Sequence, residues 1–139
     1  MFLDNSFGKT VDILQRTMDV SVLRQDVIAN NIANANTPNF KATSIDFETS
    51  LKAALDSEQN SGSFHERLTN PRHIPFSQPI DYRTVRPRKY LDWQTTVKNN
   101  GNNVDIEQQA MLQLNNQLSY TLMAQSVRDM FANVNIVLR

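Results

Sequence analysis

The sequence predicts a mainly α protein, with long N- and C-terminal helices packed as a coiled pair. An irregular, proline-containing middle segment joins them and carries a short helix and a β-hairpin. Three observations point there. Residues 5–36 contain no proline and a single glycine, and residues 104–139 contain neither. Four of the five prolines fall instead at Pro71, Pro75, Pro79 and Pro87. Both ends carry helical periodicity, and the middle does not.

In the first segment Phe7, Val11, Leu14, Met18, Ser21, Gln25, Ile28, Ile32 and Ala35 recur at alternating steps of four and three. Seven of these nine are apolar, a heptad seam with two polar positions at its centre. Asp4 or Asn5 supplies an N-cap. Pro38 ends the helix upstream, because the residue before a proline is pushed out of the helical region. The helix is expected at about residues 6–35.

The middle begins with Phe47, Leu51 and Leu55, the spacing of a short helix ending near Asp56, followed by a polar loop from Ser57 to Ser63. The prolines beyond favour extended backbone. Asn100-Gly101, flanked by Val97 and Val104, is a type I′ hairpin signal. Asp105 and Gln108 then have capping-box spacing at the head of a helix expected over about 106–136. One apolar stripe on it runs Val104, Met111, Leu114, Leu118, Leu122, and a second runs Tyr120, Met123, Val127, Met130, Val134, Val137. An arc that wide exceeds what one partner helix covers. The organisation is therefore 1–40, 41–103 and 104–139, acting as one assembly domain. Leu14, Met18, Ile28, Leu114, Leu118, Met123, Val127 and Met130 are the expected packing residues.

Composition removes several function classes. The chain has 139 residues, 14 Lys and Arg against 14 Asp and Glu, and no cysteine. Neutrality advertises neither nucleic acid nor membrane, and the absent thiols exclude disulfides, thiolate metal sites and a cysteine nucleophile. The apolar fraction, 40%, is low beside the roughly 45–50% of ordinary globules. Such a chain finishes burying its surface against something else. Apolar runs such as Val27-Ile28-Ala29 are three residues long, against about 20 for a membrane span. The first residues lack the basic and apolar regions of a secretory signal, so ordinary rules predict a cytoplasmic protein.

Candidate sites are few. Arg83, Arg86, Arg88 and Lys89, with Tyr82 and Tyr90 nearby, have the ingredients of a polyanion-binding patch. In a neutral chain they read better as a solvated or subunit-contacting loop. His65 and His73 lack the paired ligands of a metal site, and Ser63, His65 and Glu66 have no nucleophile elbow. No enzyme, cofactor or metal is expected. The unusual feature is amide content: sixteen Asn and ten Gln. It concentrates in Asn30-Asn31-Ile32-Ala33-Asn34-Ala35-Asn36-Thr37-Pro38-Asn39-Phe40. Alanines at 29, 33 and 35 admit a close backbone, and Thr37-Pro38-Asn39-Phe40 fits a type II turn with Asn39 at positive φ. Buried amides need partners, and a self-complementary assembly contact would supply them.

The run Asn30-Asn31-Ile32-Ala33-Asn34-Ala35-Asn36-Thr37-Pro38 resembles the N-terminal signature of the bacterial flagellar rod, hook and hook-associated proteins. Leu68-Thr69-Asn70-Pro71-Arg72-His73-Ile74-Pro75 resembles proximal rod members of that family. So does Asn100-Gly101-Asn102-Asn103-Val104-Asp105 with the later Gln117-Leu118-Ser119-Tyr120. One departure is Asn39, where the family often has glycine. The resemblance implies a structural subunit of the proximal rod, the tubular drive shaft that transmits torque and encloses the export channel. It implies type III export without a cleaved signal and a periplasmic location, which revises the cytoplasmic expectation. The implied partners are further copies of the chain, other rod proteins, the MS-ring, its rod adaptor and the export apparatus. Asn30, Asn31, Ile32, Ala33, Asn34, Asn36, Thr37, Pro38 and Asn39 become assembly residues, and Arg83, Arg86 and Arg88 mid-chain contacts. Another rod protein is the nearest alternative; a polyanion-binding module is the alternative of a different class.

Overall fold

The computed structural model describes residues 5–60, 69–70, 72–73 and 79–138. His65, Pro71, Pro75 and half of the Leu68–Pro75 block lie outside them. The elements in order are α1 (Ser6–Ala33), β1 (Thr43–Asp46), α2 (Glu48–Asn60), β2 (Arg88–Leu91) and α3 (Ile106–Val137). A 3-10 turn at Tyr82–Thr84 precedes β2. The strands pair in one two-stranded antiparallel sheet. The chain is mainly helical, with the long terminal helices expected from periodicity. It divides into two compact units, Met1–Ser44 with Tyr90–Arg139, and Ile45–Lys89.

In the first unit α1 and α3, about 42 and 48 Å long at 1.5 Å per residue, pack against each other. Three contacts fix their direction. The Phe7 and Phe131 rings meet edge to face at 5.8 Å. Asn116 Nδ2 donates to the Ser21 carbonyl at 2.8 Å, and Asn31 Nδ2 donates to Gln109 Oε1 at 3.1 Å. As the α1 number rises the α3 number falls, so the helices are antiparallel. Asp105 caps α3, its carboxylate accepting from the N–H groups of Glu107 and Gln108, as the capping-box spacing requires. Asn5 occupies the N-cap of α1 without a side-chain cap bond.

The side of α3 less exposed to solvent follows Gln109, Gln113, Asn116, Met123, Val127, Met130 and Val134. Its upper half is amide and its lower half apolar. Leu114 and Leu118, on the other apolar stripe, are exposed in the single chain. On α1, Ser21 and Ile28 are buried, Leu14 and Met18 half-buried, and Gln25 exposed. The small Ser21 lets the Asn116 amide reach backbone, which a leucine there would prevent.

In the second unit Phe47, Leu51 and Ala54 are buried at the steps of one helix face, and Tyr82 is buried in the turn that packs on α2. The short helix does not stop near Asp56 but runs on to Asn60. Ser57 stays helical, donating to the Ala54 carbonyl at 2.7 Å while its Oγ accepts from Ile80 N–H at 2.9 Å.

The expected hairpin at Asn100-Gly101 is corrected. A type I′ turn needs positive φ at both central residues. Gly101 has φ 80°, but Asn39 is the one non-glycine residue at positive φ among those described. Gly101 N–H instead donates back to the Lys98 carbonyl at 3.1 Å. Val97 and Lys98 N–H both donate to the Asn102 carbonyl, at 3.1 and 2.9 Å, so the chain still reverses at Asn100-Gly101, through a turn of another type and without flanking strands.

Candidate functional site

Helix α1 ends at Ala33, and the chain turns through Ala35 N–H to Ile32 O and Thr37 N–H to Asn34 O. Phe40 N–H closes the Thr37–Phe40 turn on the Thr37 carbonyl, with Asn39 at φ 58°. That is the positive φ the turn chemistry demanded. The carbonyls of this segment have run out of helical donors. Their new donors come from more than sixty residues downstream.

Asn102 is the centre of the arrangement and is fully buried. Its Nδ2 donates to the Asn34 carbonyl at 3.0 Å and the Thr37 carbonyl at 2.8 Å. Its Oδ1 accepts from Val104 N–H at 2.7 Å. Lys98 Nζ donates to the Ala35 carbonyl at 2.7 Å. Asn39 N–H donates to the Asn100 carbonyl at 3.0 Å. A methyl group on Gly101 would stand 2.5 Å from Asn39 Oδ1, and Gly101 sits at φ 80°, so the loops meet where glycine is strongly favoured.

A second amide extends the contact. Asn103 Oδ1 accepts from Ala42 N–H at 2.6 Å, and its Nδ2 donates to the Asp92 carbonyl at 2.9 Å and Thr95 Oγ1 at 3.0 Å. Asp92 in turn accepts from the Thr95 hydroxyl and from the backbone N–H groups of Gln94 and Thr95. The Thr95 hydroxyl bond above all, with these backbone donors and nearby Lys41 adding to it, holds the Asp92 carboxyl below its ordinary value of 3.8 against an opposing desolvation. A third amide, Asn31, binds both backbone groups of Thr43: Oδ1 accepts from its N–H at 3.0 Å and Nδ2 donates to its carbonyl at 2.8 Å. Asn31 thus pins the start of β1 to α1 while also reaching α3 through Gln109.

The signature residues therefore divide. Asn31 is buried and Ile32 and Asn34 are half-buried, whereas Asn30, Ala33, Asn36, Thr37, Pro38 and Asn39 are exposed. Asn34 Nδ2 donates to Asn30 Oδ1 at 2.7 Å and the Asn30 carbonyl at 2.9 Å, and Thr37 Oγ1 donates to Asn34 Oδ1 at 3.3 Å. Partners sought in a neighbouring copy are, for Asn31, supplied by the same chain. Of the small residues, Ala35 is buried, but Ala29 and Ala33 are exposed. Sequence reasoning alone does not pair Lys98, Asn102, Asn103 and Gln109 with the signature. For Asn102 and Asn103 the sequence signal is an amide-rich block, 99–103, denser in asparagine than 30–39.

The mid-chain arginines lie apart from this clasp in sequence. Arg83 Nε donates to the Tyr82 hydroxyl at 3.2 Å, with its guanidinium 5.6 Å from that ring. Arg86 and Arg88 are exposed, as is His73. Among the described residues, no helix is long and apolar enough to cross a membrane.

A clasp between the end of an N-terminal helix and the loop leading into a C-terminal helix is built largely from the signature block. The family model for the flagella basal body rod protein matches residues 15–41, which contain the N-terminal half of it. Relatives extend the likeness over nearly the whole chain. It is 40% identical over 136 residues to the flagellar basal body rod protein FlgB of Borreliella burgdorferi, covering 97% of this chain and 99% of the relative. To the Bacillus subtilis protein of that name it is 29% identical over 132 residues, 95% of each chain. To that of Escherichia coli it is 30% identical over 109 residues, 78% of this chain and 77% of the relative. The chain belongs to the flagellar basal body rod protein FlgB family. Its role is that of a structural component of the flagellar basal body rod.

Proposed function

We propose that the chain is a subunit of the proximal rod, polymerising with further copies of itself and with other rod proteins into the tube that transmits torque and encloses the export channel. The MS-ring and its rod adaptor are its neighbours at the membrane end. The flagellar type III apparatus delivers it, without a cleaved signal, to the periplasmic side. In this reading α1 and α3 act together as one assembly domain and wind as a coiled pair.

The observation that carries the reading is the unpartnered face of α3. Met111, Leu114, Leu118 and Leu122 are 66%, 57%, 54% and 63% exposed, and no charged residue occurs between Glu107 and Arg128. A contiguous apolar face free of charge marks a protein interaction surface. At about 25 cal/mol per Å², covering it offsets the ordering entropy of joining a polymer. Family membership supplies the polymer. The Asn30–Asn34 amide pair and Arg83, Arg86 and Arg88 are candidate contacts at its edges.

The test is a double replacement, Leu114→Gln with Leu118→Gln, in a cell depending on this chain for motility. The expected result is a folded, soluble subunit that is exported but does not enter the rod, and non-motile cells. Normal motility would overturn the proposal. Binding of the chain to DNA that falls steeply with salt and disappears on neutralising Arg83, Arg86, Arg88 and Lys89 would favour the polyanion reading instead.

A further inference from the structure

We propose that Asn100 is a deamidation site which the clasp holds closed in the folded chain and which opens whenever the clasp is undone. Asn-Gly is the dipeptide whose missing side chain leaves the following backbone nitrogen free to attack. Here the fold requires it. Gly101 sits at φ 80°, and any Cβ would press on Asn39 Oδ1 at 2.5 Å. Asn100 offers its carbonyl to Asn39 N–H at 3.0 Å and its side-chain oxygen to Asn102 N–H at 3.1 Å. The architecture thus places a chemically labile pair at the junction of its two signature blocks.

The reaction uses only water. The Gly101 backbone nitrogen, having given up its proton to solvent base, attacks Cγ of Asn100. A N–Cγ bond forms, the Cγ–Nδ2 bond breaks, and Nδ2 takes a proton and leaves as ammonia. Water then opens the five-membered imide at either carbonyl, giving aspartate or isoaspartate at position 100. Nothing is oxidised or reduced.

In the folded chain both reacting groups are engaged. Gly101 N–H donates to the Lys98 carbonyl at 3.1 Å, so its nitrogen is turned to that acceptor and holds its proton. The Asn100 side chain is held by Asn102 N–H and is not free to swing onto Gly101. Reaction must wait for local opening, and its rate falls by the opening equilibrium constant. The two products differ in consequence. Aspartate keeps an oxygen for Asn102 N–H. Isoaspartate adds a carbon to the main chain and displaces the Asn100 carbonyl from Asn39. A subunit held unfolded ages at this peptide, and its isoaspartate form refolds without the clasp.

The experiment is to incubate the full chain in mildly alkaline buffer, with and without denaturing urea. Aspartate and isoaspartate at every asparagine are then measured by peptide mapping, the other fifteen serving as internal references. In urea, position 100 is expected to convert ahead of all of them. Without urea its conversion is expected to be slower by more than about tenfold, as local protection predicts. Equal rates at position 100 in the two conditions, or no excess over the other asparagines in urea, would overturn the proposal. The Asn102→Ala variant, if folded, should raise the native rate toward the urea rate, and an unchanged rate would count against the clasp as the shield. The wild-type comparison stands without that variant.

Discussion

Asn102 carries the largest local consequence of any single side chain in the clasp, because three backbone groups bond to it, two in partly buried and one in fully buried surroundings. Replacing Asn102 with alanine leaves the Asn34 and Thr37 carbonyls and the Val104 N–H to find other partners. Buried unsatisfied groups cost about 1–3 kcal/mol each, so a loss of about 3 kcal/mol is expected, read as a lowered urea midpoint with an unchanged m-value. Gly101→Ala is expected to cost more than about 1 kcal/mol, from positive φ and from the Cβ contact with Asn39. Asp92 makes a pH prediction. Its folded pKa lies below its ordinary value of 3.8, so its bonds stabilise the fold above that value. Their contribution is lost as pH falls through the folded value. Titration of the Asp92 carboxyl by NMR should show the depression, and Thr95→Ala should move it back upward.

At the scale of elements, the helix pair has two unlike halves. Near Phe7 and Phe131 it is held by apolar side chains, and near Asn31 and Gln109 by amides. Asn116 lies between, bonded to the Ser21 carbonyl but with its Oδ1 buried and lacking a hydrogen-bond partner. Such a group costs stability and favours one register over its neighbours. Asn116→Leu should therefore leave thermal stability unchanged or raised, while helix register, read by disulfide trapping between cysteines introduced on α1 and α3, becomes less defined. A fall of several kcal/mol would show that the amide contributes net stability instead. Leu114→Gln alone should change stability by less than about 0.5 kcal/mol, as surface replacements do. Both helices were legible from periodicity, and so were Asp105 as a cap and Asn39 as a left-handed turn residue. Each depends on neighbours within a few positions. At Asn100-Gly101 the chain reverses as the dipeptide predicts, but in a turn of another type than I′, because the same dipeptide also suits a loop that must meet the end of α1 more than sixty residues away.

For the whole molecule, the clasp decides what is stable first. It ties Asn34, Ala35, Thr37 and Asn39 to residues 98–104, closing about half of the chain into one loop. Hydrogen exchange is expected to be slowest for the N–H groups of Thr43 and Val104, which bind side-chain amides. It should be fastest at the end of α3, where Ile136, Val137 and Leu138 are all exposed. Uniform exchange along α3 in the isolated chain would contradict this gradient. Polymerisation should slow the end of α3 most, since its exposed apolar side chains have most area left to cover.

By itself the sequence determined the two helices, their ends, the turn between Thr37 and Phe40 and the family, because heptad spacing, caps, prolines and signature residues are local in the chain. Only the tertiary structure decided which apolar stripe of α3 faces α1 and where the amides of the two signature blocks go. A helix wide with apolar residues has several faces able to pack, and an asparagine can serve any backbone group within reach. Both choices are settled by which distant segment arrives. Here residues 98–104 arrive at the end of α1 and satisfy carbonyls that no local residue could reach.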